Sequence, residues 1–207
     1  MAISRVSNSS VLNNTPKKRS MLASNDPLGS AAYYSISTAT VTSGGQTTIT
    51  FSSIPQTYTH LQLRVLGRST FVRGAGSTVP VSMYMKIGNS GTIQSTNYYY
   101  HDLRGDGATA SAAGGSFTST VIANNTFPAA NATSGIFGGT IVDILDYTST
   151  TKNKTFRSLN GVDQNGSGTM ALTSSLYFGT SLAITDIQLT SDGDFAQYTQ
   201  IALYGIK

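Results

Sequence analysis

Two histidines and nine acidic residues, all of them aspartate, are the acid–base side chains of this 207-residue chain, which has no cysteine. Their spacing is poor for chemistry. His101-Asp102 with Asp106 is the tightest group, but a metal site needs three or four converging ligands, and His60 is the only other imidazole. Asp192-Gly193-Asp194 is a fragment of a calcium loop without its further acidic ligands, and an Asp-Gly turn between strands accounts for it better. Asp143 and Asp146 stand three apart in a strand pattern. They therefore project to opposite faces and make a poor general acid/base pair. No P-loop, GxSxG elbow or HExxH occurs. The expectation is a protein that is not an enzyme and carries no metal and no cofactor.

Binding residues are more plentiful. Tyr98, Tyr99 and Tyr100 lead into His101 and Arg104 within a stretch, Asn97–Asn125, that lacks a clear period. Tyrosine offers rigid contact area at low entropic cost. These five residues are therefore candidates for a receptor surface or an interface between subunits, and the stretch reads as a strand running into a long exposed loop. Buried packing of the tyrosines is the competing reading. Arg104-Gly105-Asp106 reads as a loop tip. The six N-x-S/T triplets carry no information in a chain this rich in Ser and Thr.

The net charge of +4 is unevenly placed. Arg5, Lys17, Lys18 and Arg19 lie in the first thirty residues against Asp26, and the remainder is nearly neutral. The basicity belongs to an arm, not to a nucleic-acid-binding surface. Residues 1–30 are polar, broken by Pro16 and Pro27, with scattered apolar anchors such as Val11, Leu12, Met21 and Leu22. The arm is expected to anchor the protein to a partner through its basic residues. No run is apolar enough to span a bilayer, and MAISRVSNSSVLNN has no secretory core. Neither membrane nor nucleic acid is expected as a partner.

Residues 31–207 must hold these groups in place. Thr47, Ile49 and Phe51, then Leu61, Leu63 and Val65, then Val81, Met83, Met85 and Ile87 alternate with polar residues at a period of two. SGGQ, GNSG and GVDQNGSG punctuate the runs as turns. Five further strands are predicted within Gly135–Tyr147, Lys154–Asn160, Thr169–Thr180, Leu182–Thr190 and Gln197–Ile206. The total is about nine or ten, which predicts an all-β, jelly-roll-like antiparallel β-sandwich with an extended N-terminal arm. The first and last strands should be neighbours. Apolar residues on both phases, as in IALYGI at the C-terminus, predict a face buried against another subunit.

The runs DYTSTTKNKTFR (Asp146–Arg157), GVDQNGSG (Gly161–Gly168) and ITDIQLTSDGDFAQYTQIALYGIK (Ile184–Lys207), with FSSIPQTYTHLQLR (Phe51–Arg64), resemble small virion proteins of tailed bacteriophages, the aquatic and cyanobacterial type in particular. The resemblance implies a structural protein on the particle exterior, with a β-sandwich like those of tail-fibre tips and capsid decoration proteins. It implies other virion proteins of capsid or tail as partners, a homotrimer, and host surface glycan where the protein serves attachment. It carries no catalytic motif. A free carbohydrate-binding, lectin-like sandwich is the alternative.

Overall fold

In a computed structural model, residues 32–74 and 80–207 are described. The expected arm, with Arg5, Lys17, Lys18 and Arg19, lies outside them. Residues Tyr33–Lys207 form one compact unit of thirteen strands: β1 Tyr33–Thr40, β2 Ile49–Phe51, β3 His60–Gly67, β4 Val81–Asn89, β5 Thr92–Ile93, β6 Tyr98–Gly105, β7 Ala110–Phe117, β8 Thr120–Phe127, β9 Gly138–Ile144, β10 Lys154–Asp163, β11 Gly168–Tyr177, β12 Asp186–Ser191 and β13 Gln200–Ile206. All pairings are antiparallel, in two sheets. The large sheet runs β1-β13-β3-β9-β10-β11-β6-β7, and the small one β2-β12-β4-β5 with β8 also paired to β4. The first and last strands do pair, Tyr33 opposite Ile206.

The core forms where the predicted period of two holds. Leu61, Leu63, Ile201, Leu203, Val142 and Ile144 of the large sheet face Ile49, Met83, Met85, Ile87, Ile187 and Leu189 of the small one, all buried. Each such side chain removed from water stabilises the fold by about 1.5–3 kcal/mol. Phe127 and Phe195 meet edge to face at 6.1 Å in this core. The turns follow the punctuation. Ser90 and Gly91 both have positive φ in the two-residue β4–β5 hairpin, and Asn165 and Gly166 do the same between β10 and β11.

The predicted long loop after Tyr100 is not a loop. It is the β6–β7 hairpin, which pairs from Tyr98 opposite Phe117 to Gly105 opposite Ala110. The Asp106 carboxylate accepts hydrogen bonds from the Ala108 and Thr109 amides and closes a tight turn with Gly107 at φ +90°. Strand β7, ASAAGGSF, is exposed or half-buried along its whole length. A strand held mainly by its backbone ladder needs no apolar alternation, which is why the period failed to mark it. Strand β8 failed for the opposite reason: seven of its eight residues are buried, so both phases look alike.

Candidate functional site

Strand alternation divides the five residues predicted as one surface. Tyr98 is buried; its hydroxyl accepts from the Ile87 amide at 2.9 Å and donates to the Gln94 carbonyl at 3.1 Å. Burial pushes that phenol well above its ordinary pKa. Tyr100 is also buried, with its ring 5.5 Å from Phe117. Arg104 shares their phase and lies 3.5 Å from the Asp102 carboxylate. Tyr99 and His101 point the other way, into solvent. Packing is thus the role of Tyr98 and Tyr100, and only Tyr99 and His101 remain together on an outer surface.

Asp102, expected in an exposed loop, has a fully buried side chain. Its oxygens accept from the Ala113 amide at 2.9 Å and the Asn124 side-chain amide at 2.6 Å. Asn124 in turn contacts Ser82, whose amide donates to Asp192, and Asp192 accepts from the Tyr84 hydroxyl at 2.9 Å. Burial first, then that aspartate, pushes the Tyr84 phenol up to about 12. This chain of bonds ties β6 to β8, β4 and the segment after β12. It satisfies buried polar atoms and presents none to a substrate. Among the described residues no three His, Cys, Asp or Glu side chains are grouped to hold a metal.

The largest departure from an ordinary sandwich lies on the outer face of the large sheet. In β10, Ser158 and Asn160 point inward and Leu159 outward; in β11, Thr173 and Ser175 point inward, and Met170 and Leu172 outward. In β6, Asp102 is inside and Leu103 outside. Over these middle positions the polarity of three adjacent strands is inverted, while Phe156, Tyr177, Tyr98 and Tyr100 further along them still point inward. Two of the inward polar groups are held by hydrogen bonds to β8: the Asn160 side-chain amide donates to the Ile122 carbonyl at 2.8 Å, the Thr126 hydroxyl bonds to the Asn160 side-chain oxygen, and the Ser175 hydroxyl donates to the Val121 carbonyl. A one-residue slip would exchange the two faces, and these bonds oppose it.

Register lines up the outward residues. Ile141 pairs with Leu159, Leu159 with Leu172 and Leu172 with Leu103, making an apolar ladder across four strands. These side chains are 42–59 % exposed, as are Leu66 and Met170 beside them. Six large side chains about half exposed present on the order of 500 Å² of apolar surface, the upper range for a soluble monomer. Beside the ladder, Leu66 pairs with Gly139, Gly139 with Gly161 and Gly161 with Met170. The missing side chains leave a groove of about 570 Å³. An added Cβ at Gly139 would meet nothing within 4 Å.

The other flank is polar and ordered. The Arg64 guanidinium lies 4.8 Å from the Tyr33 ring and 5.0 Å from that of Tyr204. Arg64 donates to Gln62, Gln62 donates to Asp143, each at 2.9 Å, and Asp143 lies 3.5 Å from Arg157. The face can therefore make broad apolar contact with a paired-charge margin. It has no group placed for proton transfer or nucleophilic attack.

No family model, no curated protein and no solved structure matches the chain.

Sequence reasoning saw apolar residues on both phases but placed function on Tyr98–Arg104 within the Asn97–Asn125 stretch. The signal for the outer face was present: Leu159 and Leu103 each stand between polar neighbours and Leu172 beside Thr173, and only pairing shows that they line up. Arg68 was missed altogether. Its guanidinium donates to the carbonyls of Ala130 at 2.7 Å, Ala132 at 2.6 Å, Thr133 at 2.7 Å and Ile136 at 3.3 Å.

Proposed function

We propose that this chain is a non-catalytic structural protein of a tailed-bacteriophage particle. It is displayed on the particle exterior as a homotrimer with a jelly-roll-like domain, and is anchored to capsid or tail proteins through residues 1–30. The observation that carries this reading is the apolar ladder Ile141–Leu159–Leu172–Leu103 on the outer face of the large sheet. A surface of that size and composition serves contact with protein, not turnover of a small molecule. The resemblance of the C-terminal runs to phage virion proteins supplies the setting, and the four basic residues of the arm supply its anchor.

Deleting residues 1–30 tests the anchor. The truncated chain should remain a soluble β-rich protein by circular dichroism and be missing from purified particles. Its normal incorporation would refute the anchoring role. The place on the particle is read from the outward residues: in a tail fibre, Tyr99→Ala with His101→Ala should slow host adsorption about tenfold while particles stay intact. In capsid cement the same changes leave adsorption alone, and removal of the protein lowers particle resistance to heat. Neither effect would exclude both roles.

A second reading, a free lectin-like sandwich, is favoured by one feature. Tyr99 and Phe117, 42 % and 49 % exposed, border a hollow of about 440 Å³ together with Asn97 and Ser116. Aromatic rings beside amide and hydroxyl groups suit the faces of a sugar. Binding of a soluble glycan by the isolated domain, without any particle, would support it.

A further inference from the structure

We propose that the outer face of the large sheet is the seam through which this protein assembles with itself: the Leu172–Leu103 half of the ladder on one copy seats over the Gly139–Gly161 groove of a second. The inference rests on the assembly reading above and names the surface responsible.

Three observations carry it. The first is the inverted polarity at the middle of β10, β11 and β6. Leucines turned outward while Ser158, Asn160, Thr173 and Asp102 are turned inward make a surface that is complete only when covered. The second is that raised and hollow parts lie on the same face. Leu172 and Leu103 project from β11 and β6, whereas Gly139 and Gly161 open a groove on β9 and β10. A copy of the same sheet therefore carries both complementary shapes, as closed homo-oligomers require. The third is the charge pattern of the margin. Asp143 stands between Arg157 and the Gln62–Arg64 pair, so a facing copy can set its arginine against this aspartate.

Other occupants fit less well. The ladder has no donors or acceptors for sugar hydroxyls, and its margin has too few free cations for an anionic bilayer. Two sheets stack at about 10 Å with interdigitated side chains, an arrangement open to rows of outward leucines. The roughly 500 Å² of apolar surface, enlarged by the margin, approaches the ~800 Å² per partner of a standard interface.

The full-length protein should be weighed by mass photometry and light scattering across a dilution series, with four variants. Leu172→Asp and Leu159→Asp put charges into the seam. Gly139→Phe fills the groove from a position with open space around its Cβ. Tyr198→Asn changes a residue 68 % exposed outside the ladder and keeps a residue type tolerant of its φ of +72°. The wild type should be oligomeric at micromolar concentration. Both aspartate variants and Gly139→Phe should weaken association at least tenfold with unchanged circular dichroism, and Tyr198→Asn should behave as wild type. Should either aspartate variant fail to fold, Gly139→Phe decides alone. A monomeric wild type overturns the inference. An oligomer that survives all three seam variants overturns it too, yet leaves the assembly reading standing with its contact elsewhere. Incorporation of the arm-deleted chain tests that reading separately.

Discussion

The Arg68 guanidinium reaches four backbone carbonyls of the segment that follows β8, three of them within 2.7 Å. Burial lowers its pKa from the usual arginine value, though it stays charged. A planar fork can serve several acceptors at once, and an ammonium cannot. Arg68→Ala should cost about 2 kcal/mol, less than the sum of four charged hydrogen bonds because the group is half-buried. The melting temperature should fall by roughly 4–8 °C, and amides of residues 130–136 should lose protection in hydrogen exchange; Arg68→Lys should restore only part of both. Asp186 sets the response to acid. Its carboxylate accepts from the Gly91 amide at 3.0 Å and the Thr185 hydroxyl at 2.7 Å, and the first of these chiefly lowers its pKa. Asp106, with the Thr109 and Ala108 amides, and Asp146, with Lys152, are lowered as well. The folded state then binds fewer protons than the unfolded one, so this stability is full above the ordinary carboxylate value near pH 4 and is lost as pH falls through the lowered values. The urea midpoint should drop between pH 5 and pH 2. Asp186→Asn should be less stable at pH 7, with a shallower fall.

At the scale of elements, close packing explains positions that composition leaves blank. Gly205 of β13 lies opposite Tyr34 and Leu61, and the Tyr58 ring occupies the space its Cβ would need. Tyr58 in turn leans on Tyr34 at 5.6 Å. Gly205→Ala should therefore cost about 1–3 kcal/mol by displacing that ring. In a double-mutant cycle with Tyr58→Ala the two costs should be strongly non-additive, measured by urea unfolding; additive costs would mean that the ring is not what the glycine accommodates. The β6–β7 hairpin shows the limit of pattern reading. Its Asp106-Gly107 turn was written in the chain, but β7 has no buried side to announce it. Strand β6 was legible as a strand. That Tyr98 and Tyr100 face inward and Tyr99 and His101 outward follows from alternation once its register with β11 is set.

For the whole molecule, the residues by themselves determined the all-β class, the antiparallel sandwich, most strand positions and the pairing of first and last strands. The reasons are local: β-branched and aromatic alternation at a period of two, Asn/Gly turns, and too few helix formers. They also led to the expectation of a binding role over catalysis, since the acid–base side chains are few and badly spaced. Two matters were left to the tertiary structure. One is the sheet to which each strand belongs, because β7 and β8 are adjacent in sequence yet join different sheets. The other is the direction of each phase. A Leu flanked by polar residues normally points inward, but in β10 Leu159 points out, and in β11 Leu172 does too, because Asn160 and Ser175 make their hydrogen bonds across the interior to β8, with Ile122 and Thr126 and with Val121. That choice depends on partners distant in sequence, so no local period encodes it, and it creates the outer apolar face.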